Sequence, residues 1–139
     1  MSYTASIKVR FGDIDHAGIA YYPNLYHYLH IAFEEFFEDY LGTPYPAALD
    51  TERLGFPTVR VQTDFLRPIR YGDTLDITMV VPRLGRSSVD LEFTAVRRGD
   101  EAPCIRSRHT LVAVDMDTFR PRPIPEPYRE RLAACAPAP

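Results

Sequence analysis

The chain passes from a strand-like pattern to a helix-like one through Phe11-Gly12-Asp13-Ile14-Asp15-His16-Ala17-Gly18-Ile19-Ala20-Tyr21-Tyr22-Pro23-Asn24. This segment brings two carboxylates, glycines and a Pro-Asn pair close together just before the helical pattern begins. The first N–H groups of a helix have no partner within it, and the helix dipole makes that end positive. Such a position favours holding an anion and polarising a carbonyl.

In the segments on either side, apolar residues recur at regular intervals. Residues 4–11 alternate, with Ala5, Ile7, Val9 and Phe11 on one side, which predicts a half-buried strand. From residue 23 to residue 41 the period is helical, with apolar residues at Leu25, Leu29, Ala32, Phe33, Phe36 and Tyr40. Pro23 suits the first turn of that helix, and Gly42 suits the position just past its end.

The rest of the chain is predicted to form mainly strands. Residues 43–57 are rich in proline and predict an irregular or short-helical connection. Strands are predicted at 58–67, 74–82, 87–97 and about 104–115, and a short helix at 127–135. The first of these strands would bury the face formed by Val59, Val61, Thr63 and Phe65. Residues 84–87 and 98–101 are hairpin loops, so the last three strands form an antiparallel meander.

One helix and five strands, each with one apolar face, must bury those faces together. A 19-residue helix is about 28 Å long, and five strands make a sheet about 24 Å wide. The helix can therefore cross the whole sheet. The pattern alone predicts one α+β domain over residues 1–139.

Composition narrows the classes of function. The chain has 139 residues and a net charge of −3, which does not indicate general nucleic-acid binding. No apolar run is long enough to span a membrane, and the N-terminus does not resemble a signal peptide. Cys104 and Cys135 form neither a disulfide framework nor a metal pattern. We therefore expect a cytoplasmic protein.

The segment 11–26 resembles the signature of the 4-hydroxybenzoyl-CoA thioesterase-like family of the hotdog superfamily. Its pattern is an aromatic residue, Gly, Asp, any residue, Asp, then Gly, a hydrophobic pair, Tyr and Pro-Asn. Residues 61–68, 71–73 and 114–121 resemble later parts of the same family. The resemblance implies a hotdog fold, in which an antiparallel five-stranded sheet wraps around one long central helix.

The resemblance also implies roles for individual residues. Asp15 takes the position of the catalytic carboxylate, which acts as nucleophile or as general base on water. The backbone N–H of Tyr22 takes the position of the donor that polarises the thioester carbonyl, and Pro23 has no N–H to offer. The alternative for Asp15 is that it caps a helical turn.

Other residues are candidates for structure or for substrate contact. Asp13 can tie down the loop, and Gly18 can adopt a positive φ or allow close approach of the substrate. Tyr21 lines the acyl pocket or the core. The candidate aromatic lining is Tyr21, Tyr22, Tyr26, Phe33 and Phe56. The four scattered histidines do not indicate a metal site.

The function expected from the resemblance is an acyl-CoA thioesterase that yields a free acid and coenzyme A. The acyl group is aryl or short to medium aliphatic. A thioester of acyl carrier protein is an alternative to the coenzyme A thioester. No metal or prosthetic group is implied. The coenzyme A phosphates could be met by Arg83, Arg86, Arg97, Arg98, Arg106 and Arg108. The alternatives are a hotdog dehydratase or hydratase, which would need a matched acid–base pair, and a non-catalytic binder of acyl thioesters.

We also expect a homo-oligomer, a dimer of dimers and so a homotetramer. Five strands leave two edges, and exposed strand edges favour pairing with another chain. Hotdog relatives join their sheets across a two-fold axis.

Overall fold

The computed structural model describes residues 1–139. Its strands are β1 (Tyr3–Lys8), β2 (Leu54–Gly55), β3 (Thr58–Phe65), β4 (Thr74–Leu84), β5 (Ser88–Arg97), β6 (Pro103–Val112) and β7 (Val114–Asp115). Its α-helices are α1 (Tyr22–Glu35), α2 (Tyr45–Asp50) and α3 (Tyr128–Ala134). A short 3₁₀ turn covers Phe11–Asp13, and a π-helical segment covers Phe36–Tyr40.

Five of the strands form one antiparallel sheet in the order β1-β4-β5-β6-β3. The predicted meander is confirmed as β4, β5 and β6. The predicted last strand divides in two, because β7 leaves the large sheet and pairs with β2 instead. The fold is the predicted α+β arrangement of a five-stranded antiparallel sheet and a long helix.

The long helix changes its winding near its end. The predicted helix runs on to residue 41, but α-helical geometry stops at Glu35 and a π-helical segment follows. The Leu41 N–H donates to the carbonyl of Phe36 at 3.0 Å, which is the five-residue spacing of a π-helix. Phe36 and Phe37 are both 1% exposed, so the wider turn allows two adjacent aromatic side chains to enter the core.

Strand β3 departs from the prediction. We expected its Val59–Phe65 face to be buried, but Val59 is 61% exposed and Phe65 is 47% exposed. The reason is its place in the sheet: β3 is an edge strand that pairs only with β6. Helix α1 packs most closely against β1, at the opposite edge of the sheet, and reaches β3 through long side chains such as those of Tyr22 and Tyr26.

Phe11 also departs from the prediction. Strand β1 ends at Lys8, and the chain then enters the 3₁₀ turn, so the inward alternation stops at the buried Val9. Phe11 is 79% exposed and meets the ring of Tyr71 edge-on, with the ring centroids 5.7 Å apart.

The C-terminal segment closes one end of the core. Tyr128 and Leu132 of α3 are buried, and the Val81 N–H of β4 donates to the carbonyl of Cys135 at 2.8 Å. The short helices predicted after residue 43 and over 127–135 are confirmed as α2 and α3. None of the helices has both the length and the apolar composition to cross a membrane.

Candidate active site

The loop between β1 and α1 folds back on itself like a small hairpin. The Tyr21 N–H donates to the carbonyl of Asp13 at 2.9 Å, and the Asp15 N–H donates to the carbonyl of Ile19 at 3.0 Å. These two hydrogen bonds hold both arms of the loop antiparallel. Asp15 and the start of α1 therefore belong to one compact unit of backbone.

Asp13 fastens this unit to its surroundings. Its Oδ2 accepts hydrogen bonds from the Arg10 N–H at 3.0 Å and from the Tyr28 hydroxyl at 2.5 Å. Its carbonyl also accepts from Asn24 Nδ2 at 3.0 Å. Burial, and then the bond to Asp13, raises the pKa of Tyr28 above its usual range. The carboxylate of Asp13 is thus engaged in structure, as the sequence suggested.

Asp15 has a different environment. Its Oδ1 accepts from the Ala17 N–H at 2.8 Å, which is the local bond of an Asx turn. Its Oδ2 accepts no hydrogen bond from the chain, and no Arg or Lys pairs with it. The side chain is only partly buried. Asp15 therefore closes a turn of the loop and does not cap a helix, and one of its carboxylate oxygens is left without a partner in the chain.

Gly18 closes the turn that holds Asp15. Its N–H donates to the carbonyl of Asp15 at 3.0 Å, and its φ is +81°. A Cβ added at Gly18 would meet no atom within 4 Å. The glycine is required by its left-handed backbone, not by crowding within the chain.

Tyr22 is the first residue of α1, and its N–H donates no hydrogen bond within the chain. Its side chain lines a groove of about 270 Å³ together with Leu25, Phe65 and Leu66. The rings of Tyr22 and Phe65 lie 6.4 Å apart. An unpaired amide at a helix start beside an apolar groove is a suitable donor to a bound carbonyl oxygen.

A second, larger cavity of about 380 Å³ opens between α1 and the β3 side of the sheet. Residues of α1 form one wall and residues of β3, β5 and β6 form the other. Its lining includes two of the predicted substrate contacts, Tyr26 and Phe56. Tyr21 lines neither the groove nor this cavity; its ring packs on Tyr22 at 5.6 Å.

The cavity wall also includes a histidine that sequence reasoning missed. His109 of β6 lines the cavity, and the buried Ser107 lies two residues earlier in the strand, with its Oγ 2.9 Å from His109 Nε2. Burial, and then the nearby charge of His30, lowers the pKa of His109 to about 4. The available signal was a pair of polar residues two apart, alternating with the outward Arg106 and Arg108.

Most of the arginines considered for coenzyme A phosphates already have partners. Arg83 and Arg108 both bind Asp90, at 2.9 and 2.8 Å. In the same sheet Arg97 binds Asp100, and Arg98 binds Asp76. Arg86 and Arg106 pair with no carboxylate. Arg67, which the sequence did not single out, lies in the groove beside Tyr22.

Comparison with known proteins agrees with this geometry. The model of the thioesterase-like superfamily matches residues 9–132. A 1,4-dihydroxy-2-naphthoyl-CoA hydrolase from Prochlorococcus marinus is 32% identical over 124 residues, covering 85% of this chain and 79% of the relative.

Two solved structures superpose closely. A thioesterase superfamily protein from Jannaschia sp. has a TM-score of 0.90 at 26% identity, covering 99% of this chain and 94% of that one. The gentisyl-coenzyme A thioesterase BH1999 has a TM-score of 0.81 at 28% identity, covering 94% and 99%. The chain therefore belongs to the thioesterase-like superfamily and is a thioester hydrolase with the hotdog fold.

Proposed function

We propose that this chain hydrolyses aryl acyl-CoA thioesters to a free aromatic acid and coenzyme A, with Asp15 as the catalytic carboxylate. One observation carries the proposal: a single backbone unit holds a carboxylate with one free oxygen and ends at an unpaired helix-start amide, that of Tyr22. Thioester hydrolysis needs a group that attacks or activates water, and a donor for the negative charge that develops on the carbonyl oxygen.

The Tyr22 amide would stabilise that charge. A bound thioester would place its carbonyl oxygen on the Tyr22 N–H, where the dipole of α1 is positive. Because Pro23 follows, no competing amide lies at the next position of the helix. Removing one donor of this kind from an enzyme costs on the order of 10²–10³ in kcat.

Asp15 would act by one of two routes, as a nucleophile or as a general base. In the first, its carboxylate attacks the thioester carbon, coenzyme A leaves as the thiolate, and water then hydrolyses the mixed anhydride. In the second, the carboxylate takes a proton from water while that water attacks the same carbon. Both routes consume one water and release one acid and one thiol.

The aryl preference is supported by the cavity and by relatives. Tyr26 and Phe56 line a cavity of about 380 Å³ that begins one helical turn beyond Tyr22. Two relatives are named for aromatic acyl-CoA substrates, 1,4-dihydroxy-2-naphthoyl-CoA and gentisyl-coenzyme A. A cavity of this size falls within the range of small-ligand sites.

A thiol-release screen tests the proposal directly. Purified protein is assayed with benzoyl-, hydroxybenzoyl-, 1,4-dihydroxy-2-naphthoyl-, butyryl- and octanoyl-CoA, and we expect the highest kcat/KM with an aromatic thioester. Higher values for the aliphatic thioesters would overturn the aryl assignment. Hydration of crotonyl-CoA without thiol release would favour a hydratase, and tight binding of every thioester without turnover would favour a non-catalytic binder.

A further inference from the structure

Four polar side chains form a chain of hydrogen bonds that begins at Tyr26 and ends at His109, both of which line the larger cavity. The Tyr26 hydroxyl donates to Thr63 Oγ1 at 3.0 Å, and Thr63 Oγ1 lies 2.8 Å from Ser107 Oγ. Ser107 Oγ in turn lies 2.9 Å from His109 Nε2. Ser107 is 2% exposed, so the hydroxyl that contacts His109 is withdrawn from solvent.

One direction of the chain uses every hydroxyl hydrogen within the protein. Each hydroxyl has one hydrogen to donate. The Tyr26 hydrogen goes to Thr63, and in this arrangement Thr63 donates to Ser107 and Ser107 donates to His109 Nε2. Nε2 is then an acceptor. Since burial keeps the imidazole neutral at neutral pH, Nδ1 carries its one hydrogen.

This Nδ1–H has no acceptor within the chain, because Nε2 is the only ring nitrogen of His109 that makes a hydrogen bond. Yet no buried side-chain nitrogen or oxygen of the protein is without a partner, so Nδ1 must reach accessible space. His109 lines the cavity between α1 and β3, where its neighbours include Phe93, with ring centroids 4.7 Å apart. The accessible space beside this imidazole includes that aromatic-walled cavity.

The cavity is close to the proposed reaction centre. Tyr22 and Tyr26 are four residues apart on α1, a rise of about 6 Å, and both rings pack against Phe65, at 6.4 and 6.0 Å. Side chains on a helix lean toward its N-terminus, so Tyr26 covers the turn that leads back to Tyr22. An acyl group whose carbonyl sits on the Tyr22 amide can extend its ring into the cavity.

We infer that the His109 Nδ1–H donates a hydrogen bond to an oxygen on the ring of the aromatic acyl group, so that the cavity selects oxygen-substituted aryl thioesters over unsubstituted ones. Tyr26, Thr63 and Ser107 are positioning residues that fix the tautomer and orientation of His109. The inference rests on the proposed function for the nature of the acyl group, and it names the residue that distinguishes among aryl substrates.

Binding tests the inference separately from turnover. In an Asp15→Asn background, calorimetry gives Kd for benzoyl-CoA, for 2-, 3- and 4-hydroxybenzoyl-CoA, for 2-naphthoyl-CoA and for 1,4-dihydroxy-2-naphthoyl-CoA. At least one hydroxylated thioester should bind about tenfold tighter than its unsubstituted partner, as one hydrogen bond of good geometry predicts. Adding His109→Phe should abolish that ratio while leaving Kd for the unsubstituted thioester within about twofold.

Two further variants separate recognition from folding. His109→Asn places an amide N–H near the position of Nδ1 and should restore part of the hydroxyl preference. Ser107→Ala leaves the imidazole in place but removes the donor to Nε2, and it should reduce the preference and shift the imidazole ¹⁵N resonances away from the Nδ1–H tautomer. His27→Gln, on the exposed face of α1, is the matched control. It should change neither the hydroxyl preference nor the ¹⁵N resonances of His109.

The outcomes are distinguishable. If the wild-type protein hydrolyses aryl thioesters but the hydroxyl preference is absent, or is the same in His109→Phe, the inference is overturned and the proposed function stands. If the preference depends on His109 but no thioester is hydrolysed, the recognition site stands and the proposed function fails. An Nε2–H tautomer in the wild-type protein would also overturn the inference.

Discussion

Asp15 uses one carboxylate oxygen to hold its own turn and leaves the other without a partner. We expect Asp15→Asn to lower kcat by about 10²–10⁴, since Asn can still accept from the Ala17 N–H but cannot act as nucleophile or base. Thiol release and melting temperature, measured together, check this. A folded variant with more than about a tenth of wild-type kcat would return Asp15 to a purely structural role.

Asp13 provides the contrast two residues away. Asp13→Ala removes the acceptor of both the Arg10 N–H and the Tyr28 hydroxyl, so it should destabilise the protein by about 2–3 kcal/mol. Urea unfolding measures the loss. Asp13→Asn keeps one acceptor oxygen and should cost less; equal losses in the two variants would show that this oxygen is not what stabilises the loop.

His109 makes stability depend on pH. Its pKa is about 4 in the folded protein, held down by burial and then by His30, against 6.5 for the free side chain. Between these values the unfolded chain binds more protons, so the free energy of unfolding falls as the pH is lowered. We expect the protonation of this group to make the free energy of unfolding about 2 kcal/mol lower at pH 5 than at pH 7.5.

The measurement is urea unfolding of wild-type protein and His109→Phe at both pH values. The variant should lose this part of the pH dependence, whereas His27→Gln should retain it. The same slope in His109→Phe as in the wild type would show that His109 is not neutral by burial.

At the scale of elements, Asp90 ties three strands together on the outer face of the sheet. Its carboxylate on β5 accepts from Arg83 of β4 and from Arg108 and Thr110 of β6, at 2.8–3.1 Å. The Arg83 hydrogen bond is the largest of the effects that lower the pKa of Asp90 to about 2. This stabilisation is complete above about pH 4 and is lost as the pH falls toward 2.

We therefore expect Asp90→Asn to cost about 1–2 kcal/mol at pH 7 and little below pH 2, measured by urea unfolding at both values. Asp100→Asn is the control, because Asp100 makes a more exposed pair with Arg97 and should cost less than about 1 kcal/mol. Equal costs in the two variants would show that the three-strand arrangement adds nothing.

The elements also show what sequence could and could not predict. The 3.6-residue period of α1 and the alternation of β4 and β5 are local, so these elements were predicted from their own residues. The exposure of β3 depends on which strands flank it, and alternation within β3 carries no such information. Asp15 and Tyr22 could be named as candidates from the sequence because their motif is contiguous, and their catalytic roles stay predictions. His109 was missed because its partners come from α1, β3 and β6.

At the scale of the whole molecule, β3 presents an unpaired strand edge with exposed apolar residues, among them Val59, Val61, Phe65 and Leu66. Exposed strand edges favour pairing with a second strand, and two-fold symmetry is the commonest arrangement. We propose that two copies associate along this edge and that such dimers form the expected tetramer. Light scattering should give a tetramer at micromolar concentration.

Val59→Lys places a charge on that edge and should reduce the assembly, whereas Glu130→Lys, on the exposed surface of α3, should not. A wild-type protein that is monomeric and fully active at micromolar concentration would contradict the proposal.

The anchoring of Asp13 has a consequence for the thermodynamics of substrate binding. Asp13 accepts hydrogen bonds from the Tyr21 N–H, the Asn24 side chain, the Arg10 N–H and the Tyr28 hydroxyl. The loop and the first turn of α1 are therefore already fixed in the free protein. Ordering a residue costs about 1–2 kcal/mol, and here that cost falls on folding and not on binding. The Tyr21 amide should accordingly exchange its hydrogen slowly before any ligand is added, and adding substrate should slow it little further.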